Sequence, residues 1–142
     1  MINSNHISQL LNSPWAITNG AIEAFLISAA TQLQNNIKAE MPQPFRMNAK
    51  GEIGNGSSKE VLIIPIESVI VKYDMPDAGL MGLKSLQNLI NQVNADSTLV
   101  GAVLFHESPG GTVMDLAETA DIIKASKKPI VSYIEMSCSA SY

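Results

Sequence analysis

The chain has 142 residues, of which 46% are hydrophobic and 15% are charged, and its formal net charge is −4. This composition excludes an intrinsically disordered chain and is typical of a globular domain. The acidic balance, without a basic stripe, argues against nucleic acid as the main partner. The single cysteine excludes an internal disulfide framework and is typical of a reducing compartment.

Two observations argue against a secretory signal and a membrane anchor. Residues 1–11 lack a basic start and a long apolar run. The longest near-apolar run, residues 61–71, contains a proline and a glutamate and is too short to cross a bilayer. We therefore expect a cytoplasmic protein.

The first part of the chain predicts one amphipathic helix. Apolar residues recur at helical spacing over residues 18–39, and two prolines soon afterwards end the pattern. A loop rich in glycine and serine follows at residues 48–59. We therefore divide the chain into a helical extension with its linker, residues 1–59, and a main domain, residues 60–142.

The main domain reads as alternating strands and helices. Two apolar runs, residues 61–66 and 69–73, predict strands, and Pro65 predicts an edge position or a bulge in the first. The next predicted elements are a helix, a strand, a helix and a strand, at residues 80–94, 100–105, 112–126 and 130–134. Nearly every residue of 100–105 is apolar, which predicts burial on both faces. This order indicates an α/β fold with parallel strands, in which ligands bind at the carboxyl ends of the strands.

Residues 108–111, with the sequence SPGG, directly follow one of these strands and precede a predicted helix. Two glycines at such a turn, Gly110 and Gly111, let the backbone approach a ligand and point N–H groups at it. Groups of this kind stabilise an oxyanion. The same two residues could instead form only a tight turn with positive φ.

A second motif, residues 136–142 with the sequence MSCSASY, follows the next predicted strand. It is rich in small side chains and hydroxyl groups. Because the carboxyl ends of parallel strands meet at one edge of a sheet, we expect the two motifs to lie close together. Hydroxyl groups beside oxyanion donors indicate a serine nucleophile.

The two motifs and their surroundings resemble the signal peptide peptidase A family, serine peptidases of the Clp protease and crotonase superfold. The resemblance covers roughly residues 60–142 and rests on the order and spacing of the SPGG turn, the helix after it, the strand that starts at residues 128–131 and the serine loop. Residues 11–17 further resemble the start of the phage and prophage capsid-assembly branch, the proteases similar to minor capsid protein C. The fold implied is a Clp/crotonase-like domain of ββαβαβ-type units with a parallel sheet, incomplete after the nucleophile loop and preceded by the N-terminal helix.

The resemblance also implies roles for individual residues. Alignment of Met136 and Tyr142 with the ends of the family's loop makes Ser139 the nucleophile. The backbone N–H of Ala140 would be one oxyanion donor. The Gly110–Gly111 pair would supply the other, for which the N–H of Gly111 is the first choice.

The loop departs from the family pattern at four positions. Ser137 and Cys138 replace two alanines, and Ala140 and Ser141 replace two glycines. Ser137 and Ser141 therefore stay open as alternative nucleophiles. Cys138 is either a reactive thiol or a small buried residue behind the loop.

The family's general base is a lysine several dozen residues after the nucleophile, beyond Tyr142. A serine hydroxyl is a poor nucleophile without a base, so residues 1–142 alone are expected to be inactive. His106, close to the glycine pair, is an alternative base, although a lone histidine is more often structural.

By resemblance we expect a serine endopeptidase with a Ser–Lys dyad that processes a phage capsid or scaffold protein. It would act as a homo-oligomer in the bacterial cytoplasm or the phage prohead, without a metal or another cofactor. The alternatives are a cytoplasmic signal-peptide-peptidase-like protein that degrades peptides, a crotonase-type acyl-CoA enzyme, and an inactive assembly subunit.

Overall fold

The computed structural model of the protein describes residues 12–18, 20–35, 39–56, 59–137 and 139–141. Over these residues the chain has a mixed α/β architecture with three α-helices and two sheets. In chain order the elements are β1 (Trp15–Ile17), α1 (Ala21–Gln34), β2 (Phe45–Met47), β3 (Glu60–Glu67), α2 (Leu83–Ala95), β4 (Leu99–Ser108), β5 (Gly110–Thr112), α3 (Leu116–Lys124), β6 (Ile130–Ser137) and a short 3₁₀ turn (Ser139–Ser141).

The larger sheet has the strand order β2-β3-β4-β6. Strand β4 runs parallel to both β3 and β6, whereas β2 runs antiparallel to β3. Strands β1 and β5 form a second, antiparallel pair. The parallel arrangement brings the carboxyl ends of β3, β4 and β6 to one edge of the larger sheet.

Helix α2 covers one side of this sheet with an apolar stripe. Its buried side chains recur every three or four residues, as the sequence predicts, and pack on β3 and β4. Each such side chain contributes about 1.5–3 kcal/mol when fully buried. The stripe is formed by Leu83, Leu86, Ile90 and Val93, and the facing sheet residues include Leu62, Ile64 and Leu104.

The N-terminal helix is shorter than the predicted span of residues 18–39. Helix α1 begins at Ala21 and ends at Gln34. Thr18 instead continues the pairing of β1, since its N–H donates to the Pro109 C=O at 3.1 Å, directly before β5. Residues 19 and 36–38 lie outside the described residues.

The prediction of a strand over residues 69–73 is wrong. Ser68 adopts a left-handed φ of 65° directly after β3, which redirects the chain away from the ladder with β4. The residues that follow make only isolated bridges, Ile70 with Gly111 and Val71 with Gly82.

Strand β4 is longer than predicted and is not buried on both faces. Leu99 is 3% exposed, whereas Val100 next to it is 47% exposed. Helices α2 and α3 pack on one side of the strand, and the described residues leave the other side partly open. The apolar run therefore alternates in burial, although its sequence does not alternate in polarity.

Pro65 lies in β3, which is an interior strand and not the predicted edge. The ladder from β3 to β2 covers only residues 61–63. Pro65 is beyond that ladder, so its missing N–H removes no hydrogen bond to β2.

A charged network ties the amino-terminal ends of β3 and β4 to β2. The Arg46 guanidinium donates to the Asp96 carboxylate and, at 2.8 Å, to Thr98 Oγ1. The fully buried Glu60 carboxylate lies 3.5 Å from Arg46 and accepts the N–H of Asn55 at 3.1 Å. Hydrogen bonds from the Thr98 hydroxyl and N–H, together with Arg46, lower the pKa of Asp96 well below its ordinary range.

We predict that Asp96→Asn lowers the free energy of unfolding at neutral pH. The folded-state pKa of Asp96 lies below the ordinary value of about 3.9. Its contribution is therefore complete above that value and is lost as the pH falls below it. Denaturant unfolding between pH 7 and pH 3 measures the deficit, which should shrink below about pH 4. Asp121→Asn, at an exposed position of α3, is the control and should change little at any pH. A deficit for Asp96→Asn that does not depend on pH would contradict this assignment.

Candidate active site

The two motifs singled out in the sequence lie side by side. Ser108 at the end of β4 stands in register with Ser137 at the end of β6. The segments that follow them therefore leave the sheet at the same edge. The 3₁₀ turn at Ser139–Ser141 contacts β5 and also β1. The structure thus brings the predicted nucleophile close to the predicted oxyanion donors.

The glycine pair forms strand β5, and not the predicted turn into a helix. Helix α3 begins only at Leu116. On one side of β5, Gly110 accepts the N–H of Ile70 at 3.0 Å, and Thr112 donates to the Ile70 carbonyl at 2.9 Å. On the other side, β5 pairs with β1. The strand is therefore held between two neighbours.

Each glycine has a structural reason to be glycine. Gly110 has a φ of 105°, which L side chains rarely adopt. A Cβ on Gly111 would lie 2.1 Å from the carbonyl oxygen of Ile70. Of the alternative read from the sequence, a tight turn with positive φ, the structure shows the positive φ at Gly110 only. Gly111 lies in a strand, and the close approach of Ile70 is the reason that it is glycine.

Ser108, the first residue of the SPGG motif, is fully buried and holds the start of β5. Its Oγ donates to the Ser68 carbonyl at 2.6 Å and accepts the Gly110 N–H at 3.2 Å. The backbone turn after β3 and the turn after β4 are therefore joined by one hydroxyl group.

The N–H of Gly111 points at β1. Thr18 donates to the Pro109 carbonyl at 3.1 Å, and Val113 donates to the Pro14 carbonyl at 3.0 Å. Because hydrogen-bonded pairs alternate with non-hydrogen-bonded pairs along an antiparallel ladder, the pair between them, Ala16 with Gly111, is hydrogen-bonded. The Ala16 carbonyl therefore accepts the Gly111 N–H.

Ser139 has an unusual backbone. Its φ is 49°, in the left-handed region that non-glycine residues seldom occupy. Strain of this kind, of the order of 1–3 kcal/mol, is common at functional turns. Ser139 is exposed, whereas Ala140 behind it is buried. The Ser137 side chain, Cys138 and Tyr142 lie outside the described residues.

His106 contacts the serine turn from inside the sheet. It is 8% exposed, and its Nδ1 lies 3.1 Å from Ser141 Oγ. Burial lowers the pKa of His106, which keeps the imidazole neutral at pH 7. The contact fixes the far end of the Ser139–Ser141 turn to β4.

A cavity of about 430 Å³ adjoins the turn. Its walls are mainly apolar side chains from α2, α3 and the sheet, and the polar lining residues are His106, Thr119, Lys124, Ser132, Ser139 and Ser141. Such a space, apolar with a few convergent polar groups, is typical of a ligand site.

The lysines on or beside α2 and α3 differ in their partners. Lys72 and Lys84 make ion pairs with Asp115, at 3.2 and 3.4 Å. Lys128, which the resemblance included, donates to the Val93 carbonyl at 2.8 Å and caps α2. Lys124 lines the cavity from the end of α3.

Comparison with protein-family models and with curated proteins finds no match to this chain. Among the described residues, no helix is long and apolar enough to cross a membrane. In the same part of the chain, no group of three or more His, Cys, Asp or Glu side chains could hold a metal ion.

The sequence pattern did not predict β1 as a neighbour of this site. The only available signal was the short apolar run Trp15-Ala16-Ile17 after Pro14. Three residues are too few to show a period, so the pairing with β5 could not be read from the pattern.

We predict that Gly111→Ala destabilises the protein by at least about 2 kcal/mol. The added Cβ must push β5 from Ile70, which breaks two backbone hydrogen bonds worth about 1 kcal/mol each. Denaturant unfolding measures the loss. Gly51→Ala is the control, because a Cβ there meets no atom and only the positive φ is strained, at about 1 kcal/mol. Equal losses in the two variants would show that the close approach at Gly111 is not a constraint.

We predict that His106 titrates below its ordinary value of about 6.5. The unfolded chain then binds more protons than the folded one, so His106 makes stability fall as the pH drops from 7 toward 5. Ring-proton NMR measures the titration, and His6→Asn assigns the signals to the two histidines. His106→Asn, which keeps a polar atom near the Nδ1 position, should remove this pH dependence of the unfolding free energy. A His106 titration at or above the ordinary value would contradict the burial argument.

Proposed function

We propose that this protein is a serine peptidase of the signal peptide peptidase A type, from the phage capsid-assembly branch, with a Clp/crotonase-like fold. The observation that carries the proposal is the convergence of two elements at the carboxyl edge of the sheet. A strained, exposed Ser139 lies on a turn that contacts the glycine strand β5. A nucleophile near backbone N–H groups is what acyl transfer requires.

In the proposed reaction, Ser139 Oγ attacks the carbonyl carbon of a peptide bond, and a general base takes the hydroxyl proton. The carbonyl oxygen becomes an oxyanion held by the N–H groups of Ala140 and Gly111, and the Gly111 N–H must first lose its hydrogen bond to the Ala16 carbonyl. The C–N bond then breaks, the amine leaves with the proton from the base, and water hydrolyses the acyl-enzyme. By resemblance the base is a lysine several dozen residues after Ser139, and the enzyme is a homo-oligomer.

Two further features support a role for the turn. The contact between His106 Nδ1 and Ser141 Oγ fixes one end of the turn, which leaves Ser139 at the other, exposed end. The neutral imidazole adds no charge to the cavity. A mainly apolar cavity also suits a mainly apolar peptide segment, and the proposed substrate is a capsid or scaffold protein in an extended conformation.

The test uses the protein expressed from its complete reading frame. A fluorophosphonate, which reacts with activated serine hydroxyls, should label Ser139, and mass spectrometry locates the adduct. Ser139→Ala should lose labelling and reduce cleavage of an unfolded protein substrate at least about a thousandfold.

Ser137→Ala and Ser141→Ala are matched controls and should keep both properties to within about tenfold. An adduct on Ser137, Ser141 or Cys138 would reject Ser139 as the nucleophile. A folded protein that cleaves no peptide and is not labelled would reject the peptidase. Turnover of acyl-CoA thioesters by such a protein would favour the crotonase class.

A further inference from the structure

Strand β1 is bound to β5 as a separate extended peptide would be. It has only three residues, and it pairs antiparallel with the edge of β5 that faces away from Ile70. Its central residue, Ala16, accepts the Gly111 N–H. The turn at Ser139–Ser141 contacts both strands, so β1 lies beside the proposed nucleophile.

The ladder between β1 and β5 has fewer backbone hydrogen bonds than its register would allow without proline. Three residue pairs have hydrogen-bonding geometry: Thr18 with Pro109, Ala16 with Gly111, and Pro14 with Val113. Proline has no N–H, so the two outer pairs make one hydrogen bond each, and only the central pair can make two.

A peptide without proline opposite Val113 would gain a hydrogen bond that β1 cannot make. Its N–H could donate to the Val113 carbonyl, which in the described part of the chain accepts the Leu116 N–H at the long distance of 3.4 Å. An extended peptide with a small residue opposite Gly111 and no proline opposite Val113 should therefore bind this edge of β5 more tightly than residues 14–18 do.

We infer that the edge of β5 that faces β1 is a docking site for an extended peptide and that residues 14–18 of the same chain occupy it until such a peptide replaces them. This strand exchange uses main-chain hydrogen bonds, the general mode by which an extended peptide adds to a sheet edge. Gly20, with a φ of 82° and open space around it, joins β1 to α1 and lets the segment turn away.

The exchange has a consequence for the proposed peptidase, on which this step of the inference rests. The Gly111 N–H cannot hold an oxyanion while the Ala16 carbonyl accepts it. Residues 14–18 therefore occupy the position of a substrate and reduce the apparent affinity for peptides, since only the open fraction of the protein can bind them.

Trp15 makes the exchange measurable without any assay of catalysis, because it is the only tryptophan in the chain and lies in β1. The ligand is a synthetic peptide of residues 12–18 with Phe in place of Trp15 and Ala in place of Pro14. It should shift the Trp15 emission to longer wavelength in a saturable way, as Trp15 leaves β5 for water.

The matched control ligand is the same peptide with an N-methyl group on the residue that corresponds to Ala16. It cannot donate to the Gly111 carbonyl and should bind about tenfold more weakly or worse. A peptide that keeps Pro14 should also bind more weakly than the Ala-substituted one. Equal titrations for all three peptides, or an unchanged Trp15 emission at saturation, would overturn the inference.

Two variants of the whole chain add an independent test. Ala16→Pro removes an N–H that points at β5, whereas Ile17→Pro removes one that points away, because Ile17 forms a non-hydrogen-bonded pair with Gly110. We expect Ala16→Pro alone to shift the Trp15 emission without peptide and to bind the peptide at least fivefold more tightly. Identical behaviour of the two variants would count against the site.

All titrations are repeated in Ser139→Ala, so that strand exchange is also measured in a protein without the proposed nucleophile. The docking site and the peptidase are thereby tested separately. Strand exchange in a protein that never cleaves peptides would reject the peptidase and leave the docking site intact. Peptide cleavage by a protein whose Trp15 emission never responds would reject the docking site alone.

Discussion

The close approach of β5 to the backbone of Ile70 is the contact on which the candidate site depends. It exists because Gly111 has no side chain, since a Cβ there would lie 2.1 Å from the Ile70 carbonyl oxygen. Packed in this way, β5 satisfies its hydrogen bonds to Ile70 with one edge and presents the other edge to β1 and to the serine turn. The absence of a Cβ at Gly111 thus allows the packing that directs the Gly111 N–H toward β1.

The parallel sheet supplies the second constraint. Parallel strands end at the same edge, so the chain after β4 and the chain after β6 must emerge together. Buried polar side chains then fix these two segments to the sheet. Ser108 joins the turn after β3 to β5, and His106 joins β4 to Ser141. Both contacts lie at the carboxyl edge, where the strained Ser139 is exposed.

The opposite edge of the sheet has a different chemistry. There, Arg46, Glu60 and Asp96 form a charged network that holds β2 and the loop after it against the starts of β3 and β4. A fully buried carboxylate such as Glu60 is stable only when it is paired and hydrogen-bonded. The network therefore fixes the framework of the sheet, and the groups at the carboxyl edge remain separate from it in space and in charge.

The sequence by itself determined the elements that have a long apolar pattern and the order of the two motifs. The period of Leu83, Leu86, Ile90 and Val93 predicts α2, because a pattern over 13 residues averages out local exceptions. The central strands are predicted by their continuous apolar runs. The sequence could not determine β1 and β2, which have three residues each, or the start of α1, since Thr18 continues the pairing of β1 with the segment of Pro109. It also could not show that the glycine pair forms a strand, since that depends on Ile70 and Ala16, both distant in the chain. Residue type and spacing limit which local conformations are possible, and tertiary contacts decide which of them is adopted. The extended glycine segment is an example, because its hydrogen bonds are made with residues that no local pattern identifies.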